Sequence, residues 1–154
     1  MPHDPHAPWT GTPMADEAVD ELLDTAGWGV LSLAADDEPY SLPISFGYDG
    51  DAVYFAFLRM REGSRKSAFV ADGKTARLLV TDVRARFDWR SVAVAGPVEP
   101  VDSGDDDWET LLSVLEENPW FSSAFEGASR VEGVRGWRLD PETTHGLQVR
   151  PNRG

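Results

Sequence analysis

Cysteine is absent from this chain of 154 residues. It therefore has no disulfide framework, thiolate metal centre or cysteine nucleophile. Histidine is scarce: His3 and His6 lie in a Pro-rich N-terminal stretch, so a Ser-His-Asp arrangement would depend entirely on His145. No cluster of His, Cys and acid stands at metal-ligand spacing. Nothing approaches the roughly 20 apolar residues of a membrane-spanning helix. Met1 to Thr12 lacks the apolar centre of a signal peptide. Gly-x-Gly-x-x-Gly, the P-loop and the Gly-x-Ser-x-Gly elbow are also missing. The expectation is a cytoplasmic protein with no membrane partner and no metal. Without an evident acid, base or nucleophile, a bound cofactor is expected to carry any chemistry.

Basic charge is the other shortage. Fourteen Lys and Arg face 27 Asp and Glu, for a net charge of −13. Binding a nucleic-acid backbone needs clustered cations, so no nucleic-acid partner is expected. Docking on anionic lipid is disfavoured for the same reason. The acid-rich, lysine-poor composition resembles protein surfaces from a high-salt cytoplasm. The densest acidic run, Asp102, Asp105, Asp106, Asp107 and Glu109, falls in the first turn of a predicted helix, where the dipole favours it.

The chain is about the length of one ordinary domain, and 41% of it is hydrophobic. Residues 1–12 read as a flexible N-terminal segment and 13–150 as a single domain. Thr12-Pro13 reads as N-cap plus N1 proline of a helix. Ala15, Ala18, Val19, Leu22, Leu23 and Ala26 form its apolar face, and Gly27 stops it. From Trp28 the period changes to two. A strand follows to Leu33, then a turn at Asp36 to Pro39. Tyr40, Leu42, Ile44, Phe46 and Tyr48 then alternate along one long strand. Pro43 marks an edge or a bulge there. Asp49-Gly50 turns the chain into a return strand from Ala52 to Leu58.

A short helix is predicted from Ser64 to Asp72, and strands from Thr75 to Val83 and Phe87 to Val98. The small residues Ser91, Ala93 and Ala95 imply close approach by a neighbouring subunit or a flat ligand. Ser103 is expected to cap a second helix carrying Trp108, Leu111, Leu112 and Leu115. Asn118-Pro119 breaks that helix, and Trp120 to Phe125 reads as another short one. Gly133 to Leu139 makes the last strand, with a loose tail from Asn152. About six strands joined by short turns, with helices at the edges, predict a mainly β, antiparallel barrel.

The most suggestive stretch is Tyr54 to Lys66. A strand runs out at Leu58, a basic loop carries Arg59 and Arg61, and a helix opens at Gly63-Ser64-Arg65-Lys66. Gly63 allows close backbone approach. Ser64 is a good N-cap, and the first-turn N–H groups face outward at the positive end of the dipole. Arg65 and Lys66 add charge. Such a site suits a phosphate.

In order along the chain, Tyr40-Ser41-Leu42-Pro43-Ile44-Ser45-Phe46, Val53-Tyr54-Phe55-Ala56-Phe57, Gly63-Ser64-Arg65-Lys66 and Arg90 to Glu99 resemble the pyridoxamine 5′-phosphate oxidase-like, FMN-binding split-barrel family. Trp137-Arg138-Leu139-Asp140-Pro141 is similar to its closing strand. The resemblance spans most of residues 14–141. It implies a six-stranded antiparallel split barrel and a homodimer with FMN at the subunit interface. It places Arg65, Lys66 and Ser64 on the flavin phosphate, with Arg61 as a further ligand. Pro43 to Ser45 and Tyr54, Phe55, Ala56 and Phe57 would line the ring and ribityl chain. Ser91 and Arg90 would approach from the partner subunit, and Trp137 would flank the ring. The implied activity is an FMN-dependent oxidoreductase passing hydride through the flavin to a small-molecule substrate. A non-catalytic flavin carrier and a split barrel taking another cofactor, a deazaflavin or, least favoured with so few His, haem, are the alternatives. The chain departs from the oxidase in lacking its longer basic C-terminal segment, offering only Arg138, His145 and Arg150. It departs from nitroimidazole reductase-like members in having Ala56 and Phe57 where they carry a His.

Overall fold

The structure, a computed structural model, describes residues 10–58, 74–118 and 134–151. The anion loop with Arg61, Ser64, Arg65 and Lys66, the helix expected from Ser64 to Asp72 and the one expected from Trp120 to Phe125 lie outside the described residues.

The elements are β1 (Thr12–Pro13), α1 (Asp16–Ala26), β2 (Trp28–Ala35), β3 (Glu38–Ser45), β4 (Gly47–Tyr48), β5 (Val53–Leu58), β6 (Thr75–Ala85), β7 (Asp88–Val101), α2 (Asp107–Glu116), β8 (Val134–Leu139) and β9 (Thr143–Val149). The strands run in the order β3-β2-β6-β7-β8-β5-β4, with β9 beside β7 and β1 beside β9. Each pairing is antiparallel. The 14-residue β7 joins the two halves. Along Trp89 to Ala95 it pairs with β9, and along Val98 to Val101 it pairs with β8. This division of one strand between two neighbours makes the fold a split β-barrel.

Local chemistry explains the turns. Asp36 and Asp37 both take positive φ, 50° and 63°, as a two-residue hairpin turn requires. At the β4–β5 turn the Asp49 carboxylate accepts from the N–H of Asp51 at 2.8 Å and of Ala52 at 2.7 Å. Pro43 sits in β3, whose only described neighbour is β2, so its missing N–H leaves no ladder bond unmade on the free edge. Gly27, with φ 77°, ends α1.

Several expectations are corrected. Among the described residues the strands number seven of ordinary length plus the two-residue β1 and β4, against the six or so expected. Thr12 and Pro13 are not the start of α1: they pair with Gln148 and Leu147 of β9. The Met14 N–H then donates to the Gly146 carbonyl at 2.9 Å, so the helix opens only at Asp16. Ser103 does not cap α2. The Asp105 carboxylate takes the Asp102 N–H at 2.8 Å in a turn ahead of the helix, which begins at Asp107. The single strand expected from Tyr40 to Tyr48 breaks after Ser45, where β3 leaves β2 and β4 takes up β5. β9 was not foreseen at all.

One core holds Leu31 and Leu33 of β2, Leu78 and Val80 of β6, Val92 and Val94 of β7, Phe55, Trp137, and Val19, Leu22 and Leu23 of α1. Each of the α1 residues contributes on the order of 1.5–3 kcal/mol when fully buried. A second cluster packs Leu111 and Leu115 of α2 against Tyr54, Ala52 and Val101. Buried Asn118 ties these parts together: its Nδ2 donates to the Gly27 carbonyl at 2.6 Å and the Phe46 carbonyl at 2.8 Å.

Candidate functional site: the outer face of the sheet

Successive strand residues point to opposite faces, and in this sheet the two faces differ sharply. The register sets Pro43 of β3 beside Val30 of β2, Val30 beside Leu79 of β6, Leu79 beside Ala93 of β7, and Ala93 beside His145 of β9. Ser45 lies beside Trp28, and Ser91 between Thr81 and Leu147. Together these residues make the outer face, away from α1. Among the described residues the exposed large apolar side chains are Trp28, Leu79, Val83, Phe87 and Leu147. Four stand on this face, and Phe87 caps its β6–β7 end. Ser91, Ala93 and Ala95 keep the middle flat. In a chain with 27 acidic residues, this stretch of β2, β3, β6, β7 and β9 carries no carboxylate. Its ionisable groups are Arg77 and His145.

Of the residues singled out in the sequence, Pro43, Ser45 and Ser91 meet on this face. Arg90 does not join them. It follows the opposite alternation to Ser91, so the pair cannot serve one ligand from one face of β7. The Arg90 guanidinium is held by Asp82 at 3.1 Å and Glu21 of α1 at 4.0 Å. It lines a separate polar cleft of about 200 Å³ with Trp89, Arg84, Asp88 and Arg150. The expectation that small residues of β7 mark an approaching ligand or subunit also divides. Gly96 is small because the Asp140 carbonyl of the same chain occupies the place of a Cβ.

Tyr54, Phe55 and Trp137 are buried at 1%, 0% and 5% exposure. Phe55 and Trp137 face each other across β5 and β8 inside the main core, while Tyr54 belongs to the second cluster. Ala56 is half-buried at the rim of that cluster. The Tyr54 ring is covered by Arg138, whose Nη1 donates to the phenol at 3.2 Å. Arg138 also reaches Asp140 at 2.7 Å, Asp107 at 3.1 Å and Asp51 at 3.7 Å, pinning α2 and the β4–β5 turn to β8. Burial, opposed by the Arg138 charge, pushes the Tyr54 phenol up to about 12. Burial and the hydrogen bond to Asp20 raise the Tyr48 phenol as well. Sequence reasoning named Arg138 only as a stray basic residue; its place opposite Tyr54 depends on the β5–β8 register. No group of three His, Cys, Asp or Glu placed to hold a metal occurs among the described residues. No described helix is long and apolar enough to cross a membrane.

An antiparallel split barrel with an apolar sheet face that is exposed among the described residues defines the class. The chain belongs to the pyridoxamine 5′-phosphate oxidase family, whose family model matches residues 15–148. No curated protein matches it. Among solved structures, an FAD-binding protein from Mycobacterium smegmatis is 20% identical, covering 92% of this chain and 100% of its own, with a TM-score of 0.70. An FAD-binding protein from Mesorhizobium loti is 16% identical over 91% of this chain and 97% of its own, at a TM-score of 0.73. The heme storage protein HutZ from Vibrio cholerae is 12% identical over 86% of this chain and 94% of its own, at 0.66. At these identities the likeness is one of fold.

Proposed function

We propose that this protein is an FMN-dependent oxidoreductase, with the flavin held between two copies of the chain that meet through the outer sheet face. The observation that carries this reading is the face itself: flat, apolar and, among the described residues, free of carboxylates in a protein of net charge −13. A surface without carboxylates, in so acidic a chain, can meet a second copy of itself with little repulsion, as a two-fold interface demands. Exposed apolar area of this kind marks an interaction site. Family membership and the FAD-binding proteins of the same fold support the flavin.

The described residues fit a planar ring on one count, a small-residue shelf at Ser91, Ala93 and Ala95. Pro43, Ser45 and Ser91 present their side chains on that face. The phosphate falls to Ser64, Arg65 and Lys66, with Arg61, on the strength of their sequence. Tyr54, Phe55 and Trp137 act from behind, as the cores that keep β5 and β8 in place. Bound flavin supplies two-electron hydride chemistry; the protein binds it, orients it and excludes water around it.

The test is a visible spectrum of the purified protein after incubation with FMN and dialysis. Flavin bands retained by the wild type and lost in an Arg65→Ala, Lys66→Ala double variant are the expected result. A colourless protein, or one carrying only haem bands, overturns the reading. Reduction by NADH or NADPH, followed by reoxidation with small-molecule acceptors, separates an enzyme from a carrier. A preference for FAD or a deazaflavin over FMN would correct the cofactor and leave the site.

A further inference from the structure

We infer that His145 makes the pairing of two copies, and with it retention of the flavin, sensitive to acid. This rests on the two-copy reading above. His145 lies mid-strand in β9, exposed, directly beside Ala93 of β7. On the same face its strand neighbours are Thr143 and Leu147, and those of Ala93 are Ser91 and Ala95. None of these titrates. Among the described residues the other ionisable group on the face is Arg77 of β6, beside Ala95 and separated from His145 by β7. Glu142, just before β9, belongs to the opposite alternation. β1 reaches β9 only at Leu147 and Gln148, through Thr12 and Pro13. An imidazolium formed here therefore meets small and apolar side chains, and among the described residues this face offers no carboxylate to compensate it.

Histidine is the side chain whose charge ordinarily changes between about pH 5 and 8. While the ring is neutral it can be covered by a second copy at little cost. Once protonated it resists desolvation. The pair is thus most stable at neutral pH and above, and loosens as the pH falls and each copy gains a proton on separating. With one such proton per copy, the dissociation constant rises by up to about 100-fold for each pH unit of acidification. Of the chain's other histidines, His3 and His6 lie in the N-terminal stretch, and only a variant at 145 isolates this ring.

Sedimentation of the full chain at about pH 7.5 and about pH 5.5 reads the effect, with far-UV circular dichroism confirming that each sample is folded. Wild type is expected to be dimeric at the higher pH and to dissociate at the lower one. His145→Gln and His145→Leu are expected to stay dimeric at both. A wild type dimeric at both pH values overturns the inference and leaves the pairing intact. A wild type monomeric at both overturns the pairing as well. Acid dissociation that persists in both variants assigns the effect to other groups and overturns the inference, as does loss of pairing by both variants at the higher pH.

Discussion

Leu78 and Leu79 are neighbours on β6, yet one is 0% exposed and the other 40%. The difference runs through the whole sheet. On the inner face Leu31, Leu33, Val80, Val92 and Val94 are sealed by α1 and by one another. On the outer face Trp28, Val30, Leu79 and Leu147 are almost as apolar, yet among the described residues Trp28, Leu79 and Leu147 stay exposed. A strand with one face in water reads as alternating, and one covered on both faces reads as a continuous apolar run. The run Leu78-Leu79-Val80 is of the second kind. β6 is thus written for two covers, and the described residues supply one.

The comparison breaks most visibly on the inner side. Leu78→Ala should destabilise the fold by about 2–5 kcal/mol, the range for a fully buried leucine that leaves a cavity. Urea denaturation of the two proteins measures it. Next comes the polar pin that closes the inner side. Asn118→Leu removes the donor to the Gly27 and Phe46 carbonyls, whose distances are 2.6 and 2.8 Å. Each buried carbonyl left without a partner costs on the order of 1–3 kcal/mol. A melting curve indistinguishable from wild type would show that water replaces the amide.

The second core gives a test in alkali. The Tyr54 phenol is raised from 10.0 to about 12, first by burial. Between those values the unfolded chain has released the proton and the folded chain has kept it. Stability is therefore intact below pH 10 and falls as the pH rises toward 12, by about 1.4 kcal/mol per pH unit for this phenol. Tyr48 shifts in the same direction. Tyr54→Phe should lessen the alkaline slope without abolishing it, as followed by denaturant midpoints across that window. An unchanged slope would mean that Tyr54 ionises in the folded protein.

The barrel was legible in the sequence because its determinants are local. Alternation from Trp28, the Asp49-Gly50 turn and the Gly27 stop each sit within a few residues of the structure they cause. β9 was not legible: Thr143-Thr144-His145-Gly146-Leu147 carries little apolar alternation, and its strand state comes from pairing with β7, 48 to 60 residues earlier. The same pairing captured Thr12-Pro13 and overrode its helix-start chemistry. For the candidate site, Pro43, Ser45 and Ser91 came from the family resemblance. The separation of Arg90 from Ser91 needed the structure to show Arg90 held by Asp82 and Glu21 under α1. Asn118 looked like a helix breaker because its two acceptors lie 91 and 72 residues away.

The smallest expected effect is the most discriminating. Leu79→Ala should change the stability of the isolated chain by no more than about 0.5 kcal/mol, because an exposed side chain that touches little in its own fold has little to lose. At protein concentrations where two copies pair, the same substitution should weaken the pair and lower the denaturation midpoint. The midpoint difference between Leu79→Ala and wild type should therefore grow with protein concentration, whereas the Leu78→Ala difference should not depend on the integrity of that face. A Leu79→Ala effect that is small at every concentration would show that β6 is covered on one side only. Its second apolar face would then await a partner other than this chain.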